Sequence, residues 1–242
     1  ALAQAANKLA RARALVKKLS AVEGLGATTI ICTDKTGTLT KNQMTIEQLL
    51  VGKTPYLVSG KGYEPNGEIQ NDQGKALSKD ALRQLELLFI TGAMASNARV
   101  SPPDSEHTTW YTVGDPTEGA LITLATKAGL KVDKLDHLFP EVKEFAFDSA
   151  RKRMSSIRHF GPKKQLHLFA KGAPESILER CTHIWENGKQ RKISTADREF
   201  ILKHNDQLAT DAMHNLGLAY RVLPQKSNPK TLSMDEGEKE LV

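Results

Sequence analysis

The sequence predicts an α/β fold: a twisted, mainly antiparallel sheet with flanking helices. Three observations carry the prediction. Short apolar runs of strand length are separated by turn signals at Gly52-Lys53, Gly60-Lys61-Gly62, Pro65-Asn66-Gly67 and Asp72-Gln73-Gly74, the punctuation of hairpins. Helical patterns with start signals lie among the later strands, at Ser78, Asp115-Pro116 and Pro174. A separate β-branched run, Ala27-Thr28-Thr29-Ile30-Ile31-Cys32, leads into a hydroxyl-rich turn. It reads as a buried parallel strand, and ligands in open α/β sheets sit beyond the carboxyl ends of such strands.

In chain order, residues 1–19 carry Leu2, Leu9, Val16 and Leu19 among alanines and basic residues, a helix with one apolar stripe. Alone it is marginal. The strand at 27–32 and its turn follow, and after Asn42 the hairpins begin. Ser78 caps a helix that places Leu82, Leu85, Leu88 and Phe89 at helical spacing. Val100-Ser101-Pro102-Pro103-Asp104 is a loop and Trp110–Val113 a strand. Asp115-Pro116-Thr117-Glu118 starts a helix that runs through Leu121, Leu124 and Ala125 and stops near Gly129. Strands at 144–147 and 154–160 flank the basic turn Arg151-Lys152-Arg153, and 166–170 forms a third. Helices at 174–181 and 195–216 precede a strand at 217–223 and a polar tail.

Composition narrows the function classes. With 242 residues, 39% hydrophobic and 26% charged, the chain has the balance of a globular protein that buries a sizeable core. No run approaches the roughly 18 consecutive apolar residues of a membrane span. Lys8, Arg11, Arg13, Lys17 and Lys18 interrupt the N-terminal stretch, which is no signal peptide, so the chain is expected to face the cytoplasm. Cys32 and Cys181, far apart and outside any C-x-x-C pattern, read as reduced, buried thiols. A net charge of +6 suits an anionic partner, but 5% aromatic residues and dispersed basic ones argue against nucleic acid.

The chemistry concentrates in Asp34-Lys35-Thr36-Gly37-Thr38-Leu39-Thr40. A carboxylate at a strand end can attack the γ-phosphorus of ATP in line and form an acyl phosphate, with Lys35, the hydroxyls and Mg²⁺ offsetting the charge. Gly37 lets the backbone close around a phosphate. The competing reading is ordinary strand-to-turn punctuation. Phe147 ends an apolar alternation, where its ring either stacks on adenine, worth about 1–3 kcal/mol, or joins the core. Glu118 either accepts from adenine's exocyclic amine or merely complements a helix dipole. Arg151, Lys152 and Arg153 are candidates for phosphate contact.

The heptapeptide resembles the phosphorylation motif of the P-type cation-transporting ATPases, and Asn42-Gln43-Met44-Thr45 continues it. Gly114-Asp115-Pro116-Thr117-Glu118-Gly119-Ala120-Leu121, Phe147-Asp148-Ser149-Ala150-Arg151-Lys152-Arg153-Met154-Ser155 and Lys171-Gly172-Ala173-Pro174-Glu175 are similar to that family's later cytoplasmic motifs, in its order. The wording is nearest the type II branch that includes calcium pumps. The resemblance implies a stalk helix and connection at 1–27, the first strand and phosphorylation loop of the phosphorylation domain at 28–41, and a nucleotide-binding domain at 42–242. It implies ATP held by Glu118, Phe147, Lys152, Lys171 and Gly172. Asp34 is then the phosphorylated nucleophile, with Lys35 and Thr36 beside it, and Asp34 and Thr36 are Mg²⁺ ligands in an incomplete site. The implied partners are the remaining phosphorylation, actuator and transmembrane domains of one polypeptide, an integral membrane protein of the plasma membrane. The implied activity is ATP hydrolysis coupled to transport of a cation, Ca²⁺ first.

Two departures stand out: Ala150 where relatives commonly carry an acid, and His214 where they carry an arginine seven residues before Arg221. The Gly-Asp-Gly-x-Asn-Asp sequence that supplies Mg²⁺ carboxylates does not occur in the chain. The chain is therefore expected to bind ATP weakly, near millimolar or about −4 kcal/mol, without completing phosphoryl transfer. Two other readings fit some of these residues. A soluble aspartyl-nucleophile phosphohydrolase with a cap domain would typically carry a second acid where Thr36 stands. A non-catalytic nucleotide-binding module would lack a downstream catalytic half.

Overall fold

A computed structural model describes residues 2–18 and 20–242, the side chain of Leu2 excepted. It divides into two compact units, residues 1–42 and 43–242.

The first unit holds two short helices, α1 (Leu2–Arg11) and α2 (Ser20–Gly26). The helix expected over 1–19 thus ends early, where Arg13 turns left-handed at φ +62° and Ala14 N–H returns to the Leu9 carbonyl at 2.9 Å. A helix with so narrow an apolar stripe is marginal beyond a few turns. Leu19, and the side chain of Leu2, lie outside the described residues. The strand expected at 27–32 does not form, and Ile30, Ile31 and Cys32 are exposed. A parallel strand is stable only with paired edges and covered faces, and among the described residues none pairs with it. Cys32 is therefore not the buried thiol that its apolar neighbours suggest.

The second unit begins with a meander of β1 (Gln48–Val51), β2 (Thr54–Val58) and β3 (Ile69–Gln70). Gly52 makes its first turn at φ +61°. Next comes α3 (Lys79–Met94), whose Ser78 cap accepts from Ala81 N–H at 3.3 Å. A ribbon of β4 (Arg99–Ser101) and β5 (Tyr111–Val113) follows. Val100 and Ser101, expected in a loop, belong to β4, because the prolines that break the pattern start only at Pro102. Two helices, α4 (Pro116–Lys127) and α5 (Val132–Leu138), lead into the main strands β6 (Glu141–Asp148), β7 (Arg153–Phe160) and β8 (Gln165–Gly172). The chain continues through α6 (Pro174–Arg180), the hairpin β9 (His183–Glu186) and β10 (Lys189–Lys192), α7 (Thr195–Thr210), β11 (Gly217–Val222) and α8 (Met234–Gly237). The sequence pattern carries α7 to 216. It stops at Thr210, because Ala212 adopts φ +58° and Met213 N–H closes on the Leu208 carbonyl at 3.0 Å.

The four-stranded antiparallel sheet runs β11-β8-β7-β6. Alternation along β8 sorts its side chains between two cores. Phe169 packs with Leu85, Phe89, Met94, Leu124 and Ala125 from α3 and α4. Leu168 and Ala170 pack with Ile157, Ile177, Leu223 and Leu241 on the opposite face. That second core corrects the expected polar tail. Beyond Leu223 the chain returns over the sheet, and Leu241 is fully buried. Val242 and Tyr220 exchange backbone hydrogen bonds of 3.0 and 3.1 Å, and Arg221 holds the Glu236 carbonyl and the Glu240 carboxylate. No helix among the described residues is long and apolar enough to cross a membrane.

Candidate nucleotide-binding site

One end of the main sheet gathers the residues singled out in the second unit. Asp148, Arg153, Gly172 and Gly217 are successive partners across β6, β7, β8 and β11. Phe147, Lys152 and Lys171 are immediate neighbours of that row, and His214 lies exposed on the loop entering β11. Phe147 and Lys171 thus stand two strand spacings apart, about 10 Å.

Lys171 and Glu118 form the buried heart of this end. Asp115 caps α4, accepting from Thr117 N–H at 2.8 Å and Glu118 N–H at 3.1 Å, which places Glu118 in the first turn. Glu118 Oε1 accepts from Lys171 Nζ at 2.5 Å, and Oε2 accepts from the backbone N–H groups of Asn97 and Ala98 at 2.8 and 2.9 Å. A carboxylate offers about four acceptor directions, so three are occupied and one is unfilled. Ser96 Oγ lies 3.3 Å from Lys171 Nζ. Burial pushes the Lys171 ammonium below the usual lysine range, opposed in part by the hydrogen bond and charge of Glu118. Asn97 also reaches Glu144 Oε2 at 3.3 Å. Ser96 and Asn97 carry no sequence signal that marks them, since they are recruited only by where α3 ends.

Phe147 is 63% exposed although it ends a strand of core-like alternation. The cause is a break in β6–β7 register between Phe145 and Asp148, the kind of bulge that re-aims a side chain. The Arg151 guanidinium braces it by donating to the carbonyls of Phe145, at 3.0 Å, and Ala146. The following turn is held by Asp148 Oδ1, which accepts from Ala150 and Arg151 N–H at 3.0 Å each.

Of the three basic residues in that turn, Arg151 and Arg153 are spent inside the protein. Glu238, fully buried, accepts from Arg151 Nη1 at 2.6 Å, Arg153 Nε at 2.8 Å and Ser155 Oγ at 2.8 Å. Lys152 sits left-handed at φ +50° with its ammonium exposed, 3.5 Å from Glu175. Gly172 faces the same turn. A Cβ there would fall on the Lys152 carbonyl oxygen and the Arg153 side chain, and Ala173 N–H donates to that carbonyl at 2.9 Å. Gly172 therefore admits the chain's own backbone.

In the first unit, Asp34 is an exposed carboxylate whose Oδ1 lies 3.4 Å from Thr36 N–H. Gly37 at φ +76° and the Thr40 N–H to Lys35 carbonyl bond of 3.1 Å close the turn. Lys35 and Thr36 are exposed in it. No group of three or more metal-ligating side chains occurs among the described residues. A Mg²⁺ ion seeks six oxygens, and one carboxylate with a threonine does not supply a protein-held site for it.

A cavity of about 330 Å³ in the second unit is lined by Leu88, Leu121, Leu124, Ile177, Trp185 and Leu216 among others; it takes in His214 and Gly217 but none of Glu118, Phe147, Lys152, Lys171 and Gly172. The candidate site is an open surface: a projecting ring, an exposed ammonium paired at 3.5 Å with an exposed carboxylate, and a buried lysine beside a carboxylate with one acceptor direction unfilled. That set of groups suits a ligand with a flat aromatic part and a phosphate part.

Comparison with known proteins agrees with this class. The family described as P-type ATPase, cytoplasmic domain N, matches residues 84–242. The calcium-transporting ATPase of Bacillus subtilis (strain 168) is 35% identical over 244 residues, covering 100% of this chain and 26% of that protein. The cation-transporting ATPase pma1 of Synechocystis is 33% identical over 98% of this chain and 25% of its own length. The calcium-transporting ATPase 1 of Lactococcus lactis is 33% identical over 96% and 23%. The chain belongs to the P-type ATPase family. It spans about a quarter of the length of these relatives.

Proposed function

We propose that the second unit is the nucleotide-binding part of a cation-transporting ATPase and holds ATP by its adenine end. The ring stacks on Phe147, the exocyclic amine bonds the free acceptor of Glu118, Lys171 lines the pocket, and Lys152 meets the phosphates. His214 stands where relatives carry a longer, permanently charged arginine, which weakens the phosphate contacts. In the whole protein, Asp34 attacks the γ-phosphorus, its carboxylate oxygen forming the new bond as ADP leaves. Lys35 and Thr36 steady the developing charge. Mg²⁺, when bound, adds charge neutralisation on the phosphate oxygens.

Hydrolysis of the aspartyl phosphate then drives a cation, Ca²⁺ by the names of the similar proteins, across a membrane through domains joined to this one. In that protein residues 1–27 serve as stalk and connection, 28–41 as part of the phosphorylation domain, and 42–242 as the nucleotide-binding domain on the cytoplasmic side of the plasma membrane.

The observation that carries the reading is Phe147, an aromatic ring turned outward by a bulge at the end of the sheet that bears the Lys171–Glu118 pair. The test is an amide chemical-shift titration of the 242-residue chain with ATP and with adenosine. Shifts around Glu118, Phe147 and Lys171 with both ligands, and around Lys152 with ATP, support it. Silence at those positions up to about ten times the expected millimolar Kd sinks it.

A further inference from the structure

Glu238 is the only carboxylate among the described residues that is fully buried, and it belongs to a segment that reads as a polar tail. Its surroundings are specific. Oε1 takes Arg151 Nη1 and Ser155 Oγ, and Oε2 takes Arg153 Nε, so one carboxylate clamps the residues on both sides of Lys152. Arg151 relays the clamp to the carbonyls of Phe145 and Ala146, the backbone that leads into Phe147. Arg153 relays it to Ser176 Oγ at 2.8 Å, and that hydroxyl donates to the Arg151 carbonyl at 2.6 Å. The clamp is itself fastened. Glu238 N–H closes α8 on the Met234 carbonyl at 2.8 Å, Gly237 packs closely on the side chains of Leu168 and Phe145, and Arg221 grips the Glu236 carbonyl at 2.6 Å.

We infer that Glu238 is a positioning residue for nucleotide binding: it fixes the 146–153 turn so that the Phe147 ring and the Lys152 ammonium face the same ligand. The inference rests on the nucleotide site proposed above. A left-handed Lys152 and an exposed aromatic ring are both unfavourable conformations for a free turn. They persist because two guanidinium groups are locked from beneath by one buried carboxylate, which Ser155 Oγ also holds. Lys152 itself takes no part in the clamp; its exposed ammonium, 3.5 Å from the exposed Glu175 carboxylate, stays within reach of phosphate.

The test compares two variants of the 242-residue chain that each neutralise a buried, ion-paired carboxylate. Glu238→Gln loosens the turn. Asp197→Asn breaks a different cluster, in which Asp197 meets Arg191 at 2.6 Å and Lys53 at 3.2 Å. The Kd for ATP is read by amide shifts under conditions where each variant is folded by its dispersed spectrum. The expected result is a Kd raised about fivefold or more in Glu238→Gln, the lower end of what a misplaced base–aromatic stack loses, and a Kd within about twofold of the parent in Asp197→Asn. Should Glu238→Gln fail to fold, Ser155→Ala removes the neutral donor alone, and the same selective weakening is expected from it. An ATP Kd unchanged in the folded position-238 or position-155 variant, or raised equally in Asp197→Asn, overturns the inference. A parent chain that binds neither ATP nor adenosine overturns the nucleotide site and this inference with it.

Discussion

Replacing Phe147 by alanine should separate folding from binding. A fully buried phenylalanine removes on the order of 200 Å² from water. Phe147 is 63% exposed, so about a third of that, roughly 70 Å², is at stake. At about 25 cal/mol per Å² this is at most about 1.8 kcal/mol, and alanine retains part of it, leaving a folding cost near 1 kcal/mol. Phe169, fully buried between α3, α4 and the sheet, provides the contrast, where the same change costs about 3–5 kcal/mol. For binding the order reverses. Loss of the stack costs about 1–3 kcal/mol, or roughly 5- to 150-fold in Kd. Urea unfolding and ATP titration of both variants give the two numbers. A Phe147→Ala chain that unfolds as easily as Phe169→Ala, or binds ATP within about threefold of the parent, refutes the placement of the ring in the site.

Four further outcomes are expected. Lys171→Met leaves the Glu118 carboxylate buried without its ion, so denaturant unfolding should show a loss of about 3 kcal/mol together with loss of adenosine binding. Gly172→Ala forces a methyl against the Lys152 carbonyl, and a cost of about 1–3 kcal/mol with displaced amide signals across 150–154 is expected. Arg191 hydrogen bonds, then those of Ser194, hold the Asp197 carboxylate well below its ordinary range. Its stabilisation is therefore complete above the unfolded value of about 3.9 and lost as pH falls toward the folded one, so the gap in stability between parent and Asp197→Asn should stay constant from pH 7 to about 5 and narrow below about 4. Burial pushes the Cys181 thiol up to about 11, whereas Cys32 is exposed. Iodoacetamide at pH 8 should alkylate Cys32 and spare Cys181, as mass mapping of the native chain will show.

What could be read from the sequence depended on whether its cause was local. Ser78, Asp115-Pro116 and Pro174 announce α3, α4 and α6, because a cap or an N-terminal proline acts within one turn. The strands β6, β7 and β8 follow from alternation and the basic turn between the first two. The run 27–32 has equally good local credentials and forms no strand, because a parallel strand owes its stability to neighbours that residues elsewhere must supply. The β9–β10 hairpin escaped notice because Lys189–Lys192 is polar throughout and is held by pairing with His183–Glu186 and by the Arg191 ion pairs. Glu238 was invisible for the same reason. Nothing in Asp235-Glu236-Gly237-Glu238 says that one of three acids is buried until the two arginines from β7 and its preceding turn are placed beneath it.

The proposed site is also informative in how little it leaves unsatisfied before a ligand arrives. Lys171 has its carboxylate, Glu118 has three of about four donors, and Arg151 and Arg153 are neutralised by Glu238. A ligand displaces none of these and gains only what is exposed: one ring, one acceptor direction, and the Lys152 ammonium already shared with Glu175. Each fully satisfied group adds rigidity rather than affinity, since its electrostatic energy was committed on folding. In the proposed site such an arrangement would select the base by shape and one hydrogen bond and hold the phosphates by a single exposed cation. On this proposal the expected weak binding follows from charges that are already balanced, and adding an uncompensated arginine at position 214 should tighten ATP more than adenosine.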